Sequence, residues 1–238
     1  MLKGIILAGG SGTRLLPMTR VTNKHLLPVY NKPMVYYPIN TLVQAGIKDI
    51  MIITSNECAG DFINLLGDGR EFDAKFTYKV QHGSGGIAAA LQLCRDFIRE
   101  NPMVVMLGDN ILEENIQPFI RSYDEDHNHA CIFLKEVEDA ERFGVASING
   151  ETVTKIVEKP KNPETNLAVI GLYFYNKWVW DIIDELVPSA RGELEITDVN
   201  NWYINKGIMK YNRIKGFWSD AGTPESLYRS STHIRLKS

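Results

Sequence analysis

Cysteine is scarce in this chain of 238 residues: Cys58, Cys94 and Cys131 stand far apart, with no C-x-x-C pair among them. An odd, scattered set excludes a disulfide framework and a zinc site, and it reads as reduced thiols in a cytoplasmic protein. Long apolar runs are missing too. Stretches such as Met103 to Leu107 fall far short of the ~20 residues that a membrane-spanning helix needs. At the N-terminus, Ile5 to Ala8 is shorter than the ~7–15 residues of a signal-peptide core, and Gly9 and Gly10 break it, so it reads as a first strand. Nor is there a block of one charge. Lys and Arg number 26 against 29 Asp and Glu, for a net charge of −3, which argues against a polyanion-binding tail and against wholesale disorder. Cations for a small anionic ligand would have to be placed locally.

What is present is 44% hydrophobic residues in a chain long enough to bury roughly 70% of its unfolded surface. Length alone allows one or two domains. Residues 4–8, 50–54 and 103–107 are short apolar runs of the kind buried on both faces of a parallel sheet. Helix-like segments lie between them at 38–45, stopped by Gly46, and at 87–99, stopped by Asn101-Pro102. This alternation predicts an α/β, doubly wound, mostly parallel (Rossmann-like) sheet with ligands at the carboxyl ends of its strands. After Asp126 the pattern becomes mixed. Strand-like runs at 131–137, 144–148, 153–158 and 169–175 precede helix-like runs at 178–186 and 196–206. With no linker or repeat between the halves, residues 1–238 read as one domain, its second half, from about 126, forming a smaller lobe on a mixed sheet.

The first candidate site is Gly9-Gly-Ser-Gly-Thr-Arg14, directly after a strand. Glycines let backbone N–H groups approach a phosphate, and Arg14 and then Lys24 add charge. The loop fits neither familiar nucleotide fingerprint: Leu15 stands where a dinucleotide loop needs its third glycine, and no Gly-Lys-Ser/Thr follows. Lys24 sits in a stretch stiffened by Pro28 and Pro33, and the adjacent His25 reads as structural. Strand 103–107 ends in Gly108-Asp109-Asn110, a carboxylate where such sheets bind ligands, although Gly-Asp-Asn is also good turn chemistry. Asp220, in Trp218-Ser-Asp-Ala-Gly222, is a second acidic candidate, and two carboxylates with substrate phosphates suit Mg²⁺. The polar run Asp124 to His129 reads as a solvated loop, and Leu172 to Tyr175 as a buried strand.

These segments recur together in one family. Gly9-Gly-Ser-Gly-Thr-Arg-Leu-x-Pro-x-Thr19, Lys24-x-Leu-Leu-Pro-Val-x-x-Lys-Pro-Met34, Leu107-Gly-Asp-Asn110, Glu158-Lys-Pro160 and Arg191-Gly-Glu-Leu-Glu-Ile-Thr-Asp-Val-Asn200 occur in order. In this the chain resembles the nucleotide-sugar pyrophosphorylases, and among them the short form of the thymidylyltransferases. The resemblance implies a nucleotidyltransferase that joins dTTP and α-D-glucose 1-phosphate into dTDP-glucose, releasing pyrophosphate, for nucleotide-sugar and polysaccharide biosynthesis. It implies that Ala8, Gly9, Gly10, Gly12 and Thr13 cradle the nucleotide, that Arg14 and Lys24 hold the leaving pyrophosphate, and that Gln81 and Gly86 read the base. Asp109 and Asp220 would hold Mg²⁺. Asn110, Gly144, Glu158 and Val169 would meet the sugar, with Lys159 on its phosphate and Arg191 near the phosphates. The same resemblance implies a cytoplasmic homo-oligomer, dimer or tetramer, with no nucleic-acid or membrane partner. His25 stands where relatives often carry Gln. Open alternatives are UTP or another sugar 1-phosphate as substrate, and a non-catalytic nucleotide-sugar sensor on the same fold.

Overall fold

The structure, a computed structural model, describes residues 2–83 and 85–238, with the side chains of Asp124 and Glu125 left out. The chain divides into two units. An N-terminal unit is assembled from Lys3–Ser84, Met106–Ile120 and Gly216–Ser238, and an inserted unit comprises mainly Gly85–Val105 and Arg121–Lys215.

In the N-terminal unit, strand Lys3–Ala8 pairs in parallel with Asp49–Ser55, which pairs in parallel with Lys75–Gln81. The first two strands are continuous apolar runs because both of their faces are covered: Ile5, Ile6, Ile50, Ile52 and Ile53 are fully buried. On the other side of Lys3–Ala8 runs the end of Met103–Leu107, and Gly108 N donates to Leu7 O at 2.9 Å. Helix Tyr36–Gln44 follows the expected segment and stops at Gly46, whose φ of +92° only glycine adopts without strain. Strand Lys75–Gln81 went unremarked, although its Lys-Phe-Thr-Tyr-Lys-Val pattern alternates polar with apolar residues, as an edge strand does. Helix Pro224–Lys237 closes the unit, its N-terminus capped by Thr223 and Ser226 in a reciprocal box.

The inserted unit is mixed, as expected. Its strands run in the order Thr152–Glu158, Gly144–Asn149, Leu167–Tyr175, Ala130–Glu136, Met209–Arg213. All neighbours are antiparallel except the last pair. Leu167–Tyr175 is buried along its whole length, each large apolar side chain contributing about 1.5–3 kcal/mol. Its Tyr175 hydroxyl donates to Asn200 Oδ1 at 2.6 Å, so the core carries that hydroxyl paired. The helix expected over 87–99 is broken into Gly86–Gln92 and Arg95–Ile98. At the break Cys94 N bonds Leu91 O at 2.7 Å, a tighter turn than an α-helix makes. Helix Gln117–Glu125 extends into the run read as a loop, which begins only at Asp126. His129, at the far end of that run, is buried edge-on against Tyr123.

All three cysteines are free thiols, and among the described residues no helix is long and apolar enough to cross a membrane.

Candidate active site

The N-terminal unit gathers Arg14, Lys24, Asp109, Asn110 and Asp220 by a simple device. Each lies one to three residues from an apolar side chain of one small core: Leu15, Leu27, Ile111 and Ala221 pack there with Val29, Met34 and Leu227. Burying those neighbours fixes four separate segments of chain against one another. Strand pairing adds register, since Trp218 stands opposite Leu112 and Ser219 opposite Ile111. Continuing that register sets Asp220 across from Asn110, beside Asp109.

The glycine loop is shaped around Lys24. Gly12 has φ +65°, and a Cβ there would stand 2.9 Å from Lys24 Cβ and from Thr19 Cγ2. Thr19 Oγ1 and Leu15 N both donate to Gly12 O at 2.9 Å and lock the turn. Lys24 thus runs along the loop, and its Nζ donates to Asp109 Oδ2 at 2.5 Å. Both side chains are largely buried, at 14% and 11% exposure. Burial pushes the Asp109 carboxyl upward, but the Lys24 charge, with hydrogen bonds from Lys24 and Asn110, outweighs it and leaves the group below the usual carboxylate range. Asp220 is likewise buried. A Cβ on Gly222 would lie 3.1 Å from Arg14 Nη2 and 3.4 Å from Asp220 Oδ2, so the guanidinium and the carboxylate approach the same point.

His25 is structural, as expected. It is buried, its Nδ1 lies 2.7 Å from Asn23 Oδ1, and its pKa falls to about 3 through burial and the neighbouring Lys24 charge. Asn23 went unremarked in the sequence. Its Oδ1 accepts the His25 backbone N–H at 2.9 Å and caps the turn that carries Lys24, a polar residue before a helical turn being the signal for this. Gln81 ends its strand with Oε1 beside Gly9. Ser84, in the glycine-rich stretch before Gly86, lies outside the described residues.

The inserted unit carries the remaining candidates. Glu158 stands opposite Gly144, and Gly144 opposite Val169, so the three form one row across adjacent strands and share a face. Thr197 Oγ1 donates to Glu158 Oε2 at 2.6 Å. Thr197 lies in helix Ile196–Asn205, which Asn201 fastens to the sheet by bonding both Ile156 N and Ile156 O at 2.9 Å. Lys159 is the next residue after the row, with φ +44°, a left-handed conformation that costs an ordinary side chain roughly 1–2 kcal/mol. Its Nζ is exposed, 3.5 Å from Glu158 Oε1. Arg191 is committed to carboxylates. It forks onto Glu195 at 3.0 and 2.7 Å, and Glu193 and Glu158 lie within 3.5 Å, which raises its pKa further. Glu193, Glu195 and Thr197 had been noticed only as members of a motif. Gly86 opens helix Gly86–Gln92, where Ala88 N donates to Leu194 O at 3.3 Å.

Known proteins share this fold and much of this sequence. Residues 3–236 match the family model described as Nucleotidyl transferase. A glucose-1-phosphate thymidylyltransferase of Neisseria meningitidis is 43% identical over 239 residues, covering 98% of this chain and 83% of its own. One from Xanthomonas campestris is 44% identical over 236 residues, covering 98% and 80%. Among solved structures, a Bacillus anthracis protein described as a candidate glucose-1-phosphate thymidylyltransferase, in complex with sucrose, superposes with a TM-score of 0.95 at 51% identity. That match covers 99% of this chain and 96% of the other. A UDP-glucose pyrophosphorylase complexed with UDP-glucose gives 0.86 at 25% identity over the full length of both chains. Matches of this reach, on a mostly parallel α/β fold that gathers two buried carboxylates with an arginine and a lysine, make the chain a member of the nucleotidyl transferase family, in its glucose-1-phosphate thymidylyltransferase branch.

Proposed function

We propose that this protein condenses dTTP with α-D-glucose 1-phosphate to give dTDP-glucose and pyrophosphate. The sugar phosphate's oxygen attacks the α-phosphorus in line with the departing pyrophosphate. The attacking phosphate is already ionised near neutral pH, so the reaction needs neither a protein nucleophile nor a general base. The difficulty is electrostatic. Two unit anions 4 Å apart repel by about 1 kcal/mol in water and about 4 at an effective dielectric of 20. An exposed helix N-terminus contributes only ~0.3–1 kcal/mol, so side-chain cations must carry the compensation. Arg14 and Lys24 serve the nucleotide and pyrophosphate, Lys159 the sugar phosphate, and Glu158, Gly144, Val169 and Asn110 the sugar. Ala8, Gly9, Gly10, Gly12 and Thr13 take the nucleotide, with Gln81 and Gly86 on the base. Arg191, already held by three carboxylates, acts chiefly by fixing Glu158 and Glu195.

Asp109 and Asp220 fit a divalent cation. Both are buried, Asp109 is held ionised, and two hard oxygen donors completed by phosphates match what Mg²⁺ takes from a protein. When bound, Mg²⁺ neutralises charge on the phosphates. By the family resemblance the working form is a cytoplasmic homo-oligomer.

The observation that carries this reading is the Lys24–Asp109 pair beneath the glycine loop, with Arg14 and Asp220 converging at Gly222. Its test is pyrophosphate release with Mg²⁺ across dTTP, UTP, CTP, ATP and GTP, each against several sugar 1-phosphates. Release with dTTP and glucose 1-phosphate, abolished by EDTA, is expected. Release with another pair keeps the chemistry and reassigns the substrate. Silence with nucleotide binding intact makes the protein a sensor.

A further inference from the structure

Trp218 has no role in the site described above. Its indole N–H can only donate, and it donates to Asn110 Oδ1 at 2.7 Å, with both side chains buried. That bond decides which way the Asn110 amide faces. With Oδ1 committed to the indole, Nδ2 turns to Asp109 and donates to its Oδ1 at 3.0 Å. The other Asp109 oxygen receives Lys24. Reversed, the amide would set its own oxygen against a carboxylate oxygen at the same separation, an opposed pair of acceptors in a buried place. Trp218 also lies two residues before Asp220, in the short strand paired with Ile111–Leu112. One side chain therefore ties the segment bearing Asp220 to the amide that braces Asp109.

We propose that Trp218 is a positioning residue for the divalent-cation site, acting through Asn110 to hold Asp109 as a ligand. The inference rests on the nucleotidyl-transfer reading for the identity of the cation-binding carboxylates. Outer-shell hydrogen bonds of this kind are generally worth about 10–100-fold in metal affinity.

The test uses Trp218→Phe, which keeps a buried six-membered ring and removes the N–H donor together with the five-membered ring that carries it, with Asn110→Ala and the double variant. Mn²⁺ alone serves as the probe, its binding followed by loss of the free-ion EPR signal. Turnover gives the half-activating Mg²⁺ concentration. The expected result is about a tenfold weaker Mn²⁺ affinity for each single variant, and no further loss in the double variant. Half-activating Mg²⁺ should rise in parallel for Trp218→Phe. Wild-type Mn²⁺ affinity in Trp218→Phe, or losses that multiply in the double variant, would overturn the proposal. If Trp218→Phe does not fold, Asn110→Ala decides alone: unchanged Mn²⁺ affinity there overturns it. A wild-type protein that binds Mn²⁺ but gives no turnover overturns the nucleotidyl-transfer reading instead, and the variant series still tests the positioning role.

Discussion

Lys24 Nζ and Asp109 Oδ2 are 2.5 Å apart although 85 positions separate them in the chain. The pair joins the glycine loop to the end of strand Met103–Leu107, and it is buried enough that neither charge is well hydrated alone. Breaking a pair of this kind leaves an uncompensated buried charge. Lys24→Met should therefore lower stability at pH 7 by about 3 kcal/mol, and adding Asp109→Asn should restore most of it. Urea unfolding checks this; a Lys24→Met protein as stable as the wild type would contradict the arrangement.

Asp109→Asn alone should lose stability too, because it leaves the Lys24 charge buried without its partner, yet it retains the shape of the side chain and should still fold at about 25 °C while losing most turnover. A circular dichroism spectrum and a pyrophosphate-release assay on the same preparation decide the point. Near wild-type turnover would remove Asp109 from the cation site.

Acid should weaken the fold in two stages. The folded His25 pKa, near 3, lies below its ordinary 6.5, so the unfolded chain binds the proton first. Stability from this group is whole above pH 6.5 and falls by about 1.4 kcal/mol per pH unit until about pH 3. The Asp109 carboxyl is also depressed. Its contribution is present above the ordinary value of 3.8 and is lost as pH drops through the lower folded value. His25→Gln should flatten the profile between pH 6.5 and 4 and leave the more acidic limb. An unchanged slope in that variant would mean that His25 is not the group responsible.

Gly144 permits the close approach of Glu158. A Cβ there would stand 3.3 Å from Ile156 Cγ2 and 3.4 Å from both Glu158 Oε2 and Thr197 Oγ1. Gly144→Ala must push Ile156 Cγ2 by a few tenths of an ångström and sets a methyl in van der Waals contact with the Glu158 carboxylate. The expected cost is about 1 kcal/mol, read as a roughly fivefold higher KM for glucose 1-phosphate with KM for dTTP unchanged. Equal rises in both would place Glu158 elsewhere in the chemistry.

Lys159 holds a left-handed backbone that glycine adopts freely. Lys159→Gly should gain about 0.5–1 kcal/mol of stability while raising KM for the sugar phosphate far more than for the nucleotide. Strain retained at a functional position is the pattern expected here, and a variant that is neither more stable nor impaired would argue against it.

The continuous apolar strands and the Gly and Pro stops were legible in the sequence because burial on both faces leaves no other composition possible. Strand Met103–Leu107 was expected within its exact bounds. Lys75–Gln81 and Met209–Arg213 carry the weaker signal of short alternating strands with few apolar residues, and they went unremarked beside the continuous apolar runs. In the site, Asp109 was legible as a carboxylate closing a buried strand, and Asp220 drew notice only as a second acidic residue. Two partners were not: Thr197 on Glu158 and Trp218 on Asn110 are pairings made by packing, and no local spacing encodes them, whereas Asn23 capping the His25 N–H had a local signal that went unremarked.

The most direct test of the account is a competition. The purified protein, Mg²⁺ and glucose 1-phosphate are incubated with equal dTTP and UTP, and the nucleotide sugars formed are identified by mass spectrometry. The account predicts that dTDP-glucose predominates and that none forms without the metal. Predominant UDP-glucose, or no nucleotide sugar at all, would contradict it.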